Sequence, residues 1–236
     1  MPSSDGAAYD GFADTFAREA STSAYNAHYD RPTVLGLLGD LDGRHVLDAG
    51  CGPGLYLDAL LAGGATVVGC DQSADMVRAA RDRVGDRVPV RQHDLDAPFD
   101  WADDNTFDIV LVALVIHYVH DRVATLAELR RLLRPGGRII VSTSHPTADW
   151  IAAGGSYFEA GHVEETWSGG MTHRYWRQPL QAWLDDFAAA GLALERLVEH
   201  QPALSMAHEH PTTYGKLARE PGFIAYRLAA SLPASA

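Results

Sequence analysis

The chain has 236 residues, 47% of them hydrophobic, and a net charge of -12. That size supports one α/β core, with or without a small insertion. The acidity argues against a nucleic-acid partner or an anionic membrane surface, because no basic stripe offsets the repulsion.

Only Cys51 and Cys70 occur, outside any C-x-x-C pair, so two reduced core thiols are expected rather than a disulfide framework or zinc ribbon. The first twenty residues carry acids and no apolar h-region, which is not a signal peptide, and no apolar run approaches the ~20 residues of a membrane span. The expected compartment is the cytoplasm.

In chain order, residues 9–29 place Tyr9, Phe12, Phe16, Ala20 and Ala24 near helical spacing, and Pro32 suits the start of a further helix. Residues 44–50 read as a buried strand, followed by a glycine loop and a helix that Gly63 and Gly64 stop. A second strand spans 66–71, and Ser73 is placed to cap the helix after it. A third strand is expected within 88–94. A fourth lies within 107–119, where the continuous apolar run implies burial on both faces. A helix then ends at Arg134-Pro135-Gly136-Gly137, and a fifth strand runs to His145. This alternation means a mostly parallel sheet with helices on both faces. Residues 146–178 break it; they are rich in Gly, Trp, Tyr and His with little periodicity, as in a lid or binding loop. A helix, a strand, a loop and a last strand complete the chain. The expected division is a helical cap (1–42), a core (43–145), a lid (146–178) and a C-terminal part of the sheet (179–236).

The stretch HVLDAGCGPG, from His45 to Gly54, carries the sharpest signal. In an open parallel sheet, ligands bind beyond the carboxyl ends of the strands. Gly50, Gly52 and Gly54 let the main chain turn tightly and meet a ligand, and Pro53 stiffens the turn. A dinucleotide fingerprint needs glycine six positions into the motif, where this chain has Leu55; a P-loop needs Gly-Lys, and Lys216 is the one lysine. Both exclusions leave a nucleoside without a pyrophosphate. Asp71, at the end of the second strand, can accept from ribose hydroxyls, and Asp94, at the end of the third, from an adenine amino group. Each is also a plausible loop anchor, since Asp at strand ends is common.

In this order, VLDAGCGPG, VVGCDQSADMVRAA, HDLDAPF, FDIVLVALVIHYV and LLRPGGRIIVSTSHP resemble the motifs of class I S-adenosylmethionine-dependent methyltransferases. The flanks NAHYDRP and GGSYF to EHQP are similar to a bacterial small-molecule branch of the type-11 group. The resemblance implies a Rossmann-like seven-stranded sheet with an N-terminal helical lid and an insertion after the fifth strand. It implies S-adenosyl-L-methionine as cofactor, S-adenosyl-L-homocysteine as its product, and a small-molecule acceptor methylated at O, N or C. It places Asp48 and Gly50 by the methionine amino group and carboxylate, with Cys51, Gly52 and Gly54 in the same loop. Asp71 would hold the ribose, Gln72 and Met76 the adenosine, and Asp94 and Leu95 the adenine. Ala113 and His117 would border the methionine and the transferred methyl. Tyr25 and Tyr29, ahead of the core, are placed to close over the cofactor from the N-terminal helices. A monomer or homodimer is expected. An NAD(P)-dependent oxidoreductase and a catalytically inactive cofactor-binding protein are the alternatives.

Three histidines are candidate general bases: His145 first, at the end of the fifth strand, then His117 and His173. Trp150, Tyr157, Phe158, Trp167, Tyr175 and Trp176 either wall an acceptor pocket or form a small core under the lid. Arg174 and Arg177 suit a substrate carboxylate or the surface acids. His208 and His210 have no plausible third ligand, so no metal is expected.

Overall fold

The computed structural model describes residues 20–166 and 172–231; most of the expected N-terminal helix, and Trp167, lie outside them. A π-helical turn, Asn26–Asp30, runs directly into α1 (Arg31–Leu38), with Pro32 in the first turn, where a missing N–H costs least. Then follow β1 (His45–Ala49), α2 (Leu55–Ala62), β2 (Thr66–Asp71), α3 (Ala74–Val84), β3 (Val90–Gln92), β4 (Phe107–Ala113), α4 (Arg122–Leu132) and β5 (Leu133–Ser144). Ser73 caps α3 by accepting from the Met76 N–H, and Asp121 caps α4 by accepting from the Ala124 N–H.

Beyond β5 come α5 (Pro146–Ala153), β6 (Gly161–Thr166), β7 (Thr172–Arg177), α6 (Leu180–Ala189), β8 (Leu192–Glu199), α7 (Leu204–Glu209), α8 (Pro211–Leu217) and β9 (Phe223–Ala230). The seven-stranded sheet has the order β3-β2-β1-β4-β5-β9-β8, and β9 is antiparallel to both its neighbours. The expected mostly parallel sheet, flanked by helices and followed by an insertion after β5, is what the chain builds.

Alternation along the strands sorts the core into two layers. Leu47, Val110, Val112 and Val141 face α4 and α6, meeting Leu126, Leu129, Trp183 and Phe187. Val46, Val67, Leu111 and Ile140 face α1–α3, meeting Leu37, Leu57, Leu60 and Val77. Ala24, Tyr29, Met206 and Leu217 form a third, smaller cluster that ties the N-terminal segment to α7 and α8. Among the described residues, no helix is long and apolar enough to cross a membrane.

Three expectations differ from the structure. Arg134-Pro135-Gly136-Gly137, read as a helix stop, belongs to β5, and the register with β4 shifts between Phe107 and Ile109 to absorb it. The supposed irregular lid contains α5 and the antiparallel pair β6–β7, with Val163 opposite Tyr175 and Glu165 opposite His173. The supposed loop before the last strand holds α7 and α8.

Strand order reverses between β1 and β4, so the loops after them diverge and leave a crevice at their carboxyl ends. The apolar layer on α4 and α6 supports the sheet beneath that crevice. Phe187 packs edge-on against Tyr226 of β9, ring centroids 4.9 Å apart, and is 1% exposed. Phe187→Ala is expected to cost roughly 3–5 kcal/mol of unfolding free energy, read as a fall in the denaturant midpoint with an unchanged slope.

Candidate functional site

The site begins with a carboxylate in the middle of the sheet. Asp48 pairs in register with Gly69 of β2 and Leu111 of β4, on the strand with neighbours on both sides. It is 1% exposed, and neither side-chain oxygen has a hydrogen-bond partner among the described residues. Burial, and secondarily the nearby Asp71 carboxylate, push its pKa up to about 8. At neutral pH Asp48 is therefore mostly a neutral acid, ready to ionise when a cation reaches it.

Directly above, the chain turns through Gly50, at φ +80. A Cβ there would lie 2.7 Å from a Val115 methyl, so only glycine lets the β1 loop rest on the β4 loop. The β4 loop is itself bent: Leu114 takes φ 52, left-handed for a bulky residue, and its N–H donates to the Ser142 carbonyl over 3.0 Å. Gly54, at φ +79, sits at the N-cap of α2 with Ala80 beneath it, a close packing of α2 on α3.

Asp71 holds the turn from the side. One carboxylate oxygen accepts from the Gly52 N–H at 2.9 Å and the other from the Ser73 N–H at 3.0 Å. Gly50 and Cys51 both donate their N–H groups to the Cys70 carbonyl, at 2.8 and 2.9 Å. Both cysteine thiols are free and buried, and burial pushes both pKa values up, Cys70 to about 12, which makes them packing groups rather than nucleophiles.

A cavity opens over these loops. Gly50, Cys51, Gly52, Asp71, Gln72 and Met76 line it, and so do Asp94, Leu95 and Ala113. Tyr29, Asp48, Gly54 and His117 do not; Asp48 lies buried beneath the Gly50 turn that forms the cavity floor. Tyr29 is wholly buried in the third cluster, and its hydroxyl accepts from the Gly222 N–H at 2.9 Å. The N-terminal segment instead reaches the cavity through Ala20, Asn26, Asp30 and Arg31.

Asp30 was missed in the sequence, as were Tyr56, Asp96 and Tyr118. The Tyr56 hydroxyl donates to Asp30 at 2.6 Å, and His200 Nε2 lies 3.0 Å from the other Asp30 oxygen, so a buried chain of polar groups stiffens this wall. Asp96 accepts from the His120 and Asp121 N–H groups, fixing the entry to α4. The Asp-x-Asp spacing at residues 94 and 96 was the available signal, read only at its first member.

The three histidines separate. His145 is the N-cap of α5: Nδ1 accepts from the Thr147 N–H at 3.1 Å, and Nε2 lies 3.1 Å from Glu199, away from the cavity lining. Pro146 in the first turn was the sequence sign of that cap. His117 is 7% exposed, with Nδ1 2.9 Å from the Thr143 hydroxyl, and burial drives its pKa down to about 3. His173, on β7, is the one histidine lining the cavity among the described residues. It stacks on Tyr175 at 5.3 Å, and burial lowers its pKa below the ordinary 6.5. Arg174 and Tyr118 line the cavity beside it. The other insert aromatics brace the insert and tie it to the core: the Trp150 indole donates to the Gly155 carbonyl within it, the Tyr157 hydroxyl accepts from the Leu180 N–H of α6, and Trp176 stacks under Arg122 of α4 at 4.6 Å. Phe158 is largely exposed.

A methyltransferase-domain family profile matches residues 47–141. The chain is 34% identical over 173 residues to the demethylmenaquinone methyltransferase of Clavibacter sepedonicus, covering 67% of this chain and 68% of that one. It is 31% identical over 170 residues to the protein of the same name from Beutenbergia cavernae, covering 70% of each. A crystal structure of an S-adenosylmethionine dependent methyltransferase from Mesorhizobium loti shares the fold, with a TM-score of 0.70 at 24% identity, covering 89% of this chain and 99% of that one.

The Asp48 carboxyl sets a pH dependence. Its folded pKa of about 8 exceeds the ordinary 3.8, so the unfolded chain releases this proton first. Its contribution to stability therefore falls as pH rises from about 4 to about 8. Asp48→Asn removes that slope. In thermal melts without ligand, the variant is expected to match wild type near pH 4 and to exceed it by one to a few kcal/mol at pH 8, the amide's own unpaired N–H groups limiting the gain.

Proposed function

The chain belongs to the class I S-adenosylmethionine-dependent methyltransferase superfamily, and from that premise we propose that it methylates a small molecule at oxygen, nitrogen or carbon, as in the type-11 branch. The observation that carries the assignment of this cavity to the cofactor is Asp48. A buried acid with no hydrogen-bond partner among the described residues, under a glycine turn at the sheet's switch point, destabilises the protein until a cation sits over it. The cofactor's ammonium group is such a cation. The Gly50 turn above Asp48 lines the same cavity.

In this reading Asp48 lies under the Gly50 turn on the side of the ammonium group, and the first N–H groups of α2 face the cofactor's carboxylate. Asp71, at the end of β2 on the cavity lining, takes the ribose hydroxyls. Gln72 and Met76 border the adenosine, Asp94 and Leu95 the adenine, and Ala113 the methionine chain. When bound, the cofactor supplies a methyl group on a sulfonium that departs as a neutral thioether, so no acid is required at the leaving group.

What remains for the chain's residues is alignment, exclusion of water and, where the acceptor atom carries a proton, its removal. Holding two reactants at near-attack distance supplies on the order of 7–11 kcal/mol. His173 replaces His145 as the proposed base. It lines the cavity, and its lowered pKa keeps the imidazole neutral, hence able to take up a proton, at pH 7. His117 at about 3 is too weak a base, and both ring nitrogens of His145 are engaged elsewhere. Tyr118 and His173 present ring surfaces and Arg174 a cation, a setting for a flat acceptor with an acidic group. The relatives named demethylmenaquinone methyltransferases act by name on a quinone, which is flat in the same sense, so quinols and phenols are the first acceptors to try.

Isothermal titration with S-adenosylhomocysteine is expected to show one site, weakened at least tenfold in Asp71→Ala. Transfer of labelled methyl to a quinol and phenol panel is expected to proceed, and His173→Ala is expected to lower kcat by ~10²-fold without changing affinity for the homocysteine product. No binding by folded wild-type protein contradicts the cofactor assignment; binding without transfer to any metabolite class favours a non-catalytic role.

A further inference from the structure

We propose that His28, Glu209 and His210 bind one divalent transition-metal ion, zinc by the chemistry of its donors, which pins the segment ahead of α1 to the α7–α8 junction. The third ligand that the sequence around His210 does not offer comes from near the other end of the described chain. One donor atom from each residue lies within 4.8 Å of the other two. His28 Nε2 is 3.5 Å from a Glu209 oxygen, and the His28 and His210 rings meet edge to face at 5.6 Å. Ligands bonded to zinc at about 2.0–2.2 Å in a tetrahedral shell sit roughly 3.3–3.5 Å apart. The mostly exposed Glu209 side chain is free to supply the small remaining adjustment.

The second nitrogen of each ring strengthens the case. A ligating histidine characteristically donates its other N–H to a fixed partner, which sets the tautomer and aims the lone pair. His210 Nε2 lies 3.3 Å from the Thr22 carbonyl, an acceptor only, so Nε2 carries the hydrogen and Nδ1 presents a bare lone pair. His28 Nδ1 lies 2.7 Å from the Ser205 hydroxyl, which can accept its hydrogen when Nε2, the atom nearest Glu209, gives its lone pair to a metal. Two oriented imidazoles and a carboxylate, with a fourth position for water, suit zinc and disfavour magnesium or calcium.

The backbone around the ligands is already set. The Ala203 N–H donates to the His28 carbonyl at 2.8 Å, and the His210 N–H to the Met206 carbonyl at 2.8 Å. His210 itself stands between α7 and α8, with Pro211 starting the latter. An ion here would fasten three elements whose apolar contact is the small third cluster. His28 is two residues from Asp30, so the same ion would steady one wall of the cavity.

The test uses the untagged full-length chain, stripped with a chelator and without cofactor, so that its outcome is separate from that of the methyltransferase assignment. Zinc calorimetry is expected to give one ion per chain at micromolar affinity or tighter. Glu209→Gln, at an exposed position, and His210→Ala are each expected to weaken it at least tenfold while keeping the wild-type circular dichroism. Cobalt(II) as a probe is expected to show the intense visible bands of a four- or five-coordinate site, and zinc to raise the Tm of wild type but not of the variants. Absence of stoichiometric zinc binding overturns the proposal. So does undiminished binding by both variants, which would put the ion on other histidines, or the faint cobalt spectrum of an octahedral, loosely held ion.

Discussion

An unpaired carboxylic acid in the central strand of a parallel sheet is the constraint around which the rest of the site is arranged. Asp48 has β2 on one side and β4 on the other, helices packed over both faces, and no hydrogen-bond partner for either oxygen among the described residues. Such a group opposes folding whenever it is charged. The surrounding core is large enough to tolerate it, with two apolar layers meeting the sheet from opposite sides. The strain lies where ligand binding can relieve it, at the end of the strand, one turn beneath bare backbone.

The loops above Asp48 are built for close approach rather than for stability. Gly50 rests on Val115, and Leu114 accepts a left-handed conformation to put Val115 there. Asp71 clamps the turn through two N–H groups and lines the cavity itself. Asp94 and Asp96 extend the row of acids along the strand ends, and Asp30 closes it from the N-terminal side. A cavity edged by this much negative charge focuses its field on cations. It suits a sulfonium with an ammonium tail, and it offers no cradle for a pyrophosphate, in agreement with the broken dinucleotide fingerprint at Leu55.

Much of this was legible because it is local in sequence. A strand ending in acid and glycine, a second strand ending in Asp71, and the Ser73 cap each announce themselves within a few residues, and their order gives the crevice. What escaped depends on partners far away or on elements too short to show a period. Strand β6, GHVEET, carries one apolar residue between polar ones, and its identity as a strand comes from pairing with β7. Helices α7 and α8 have six and seven residues, under two turns each, so no apolar stripe can establish itself. Tyr29 and Asp30 are adjacent and equally buried, yet one faces the third core cluster and the other the cavity; only the turn of the π-helical segment decides which. His145 looked like a base because it ends a strand, while the proline after it already spoke for a helix cap.

The claim that Asp48 waits as a neutral acid for a cationic ligand has a direct measure in proton linkage. Calorimetric titration of S-adenosylhomocysteine at pH 7, in buffers of different ionisation enthalpy, counts the protons exchanged on binding. With Asp48 at about 8 before the ligand arrives, ionisation against the incoming ammonium should release close to one proton per site, and Asp48→Asn should abolish the release. Binding with no net proton release by wild type, or equal release by the variant, would show that this carboxyl is not the group the cofactor meets.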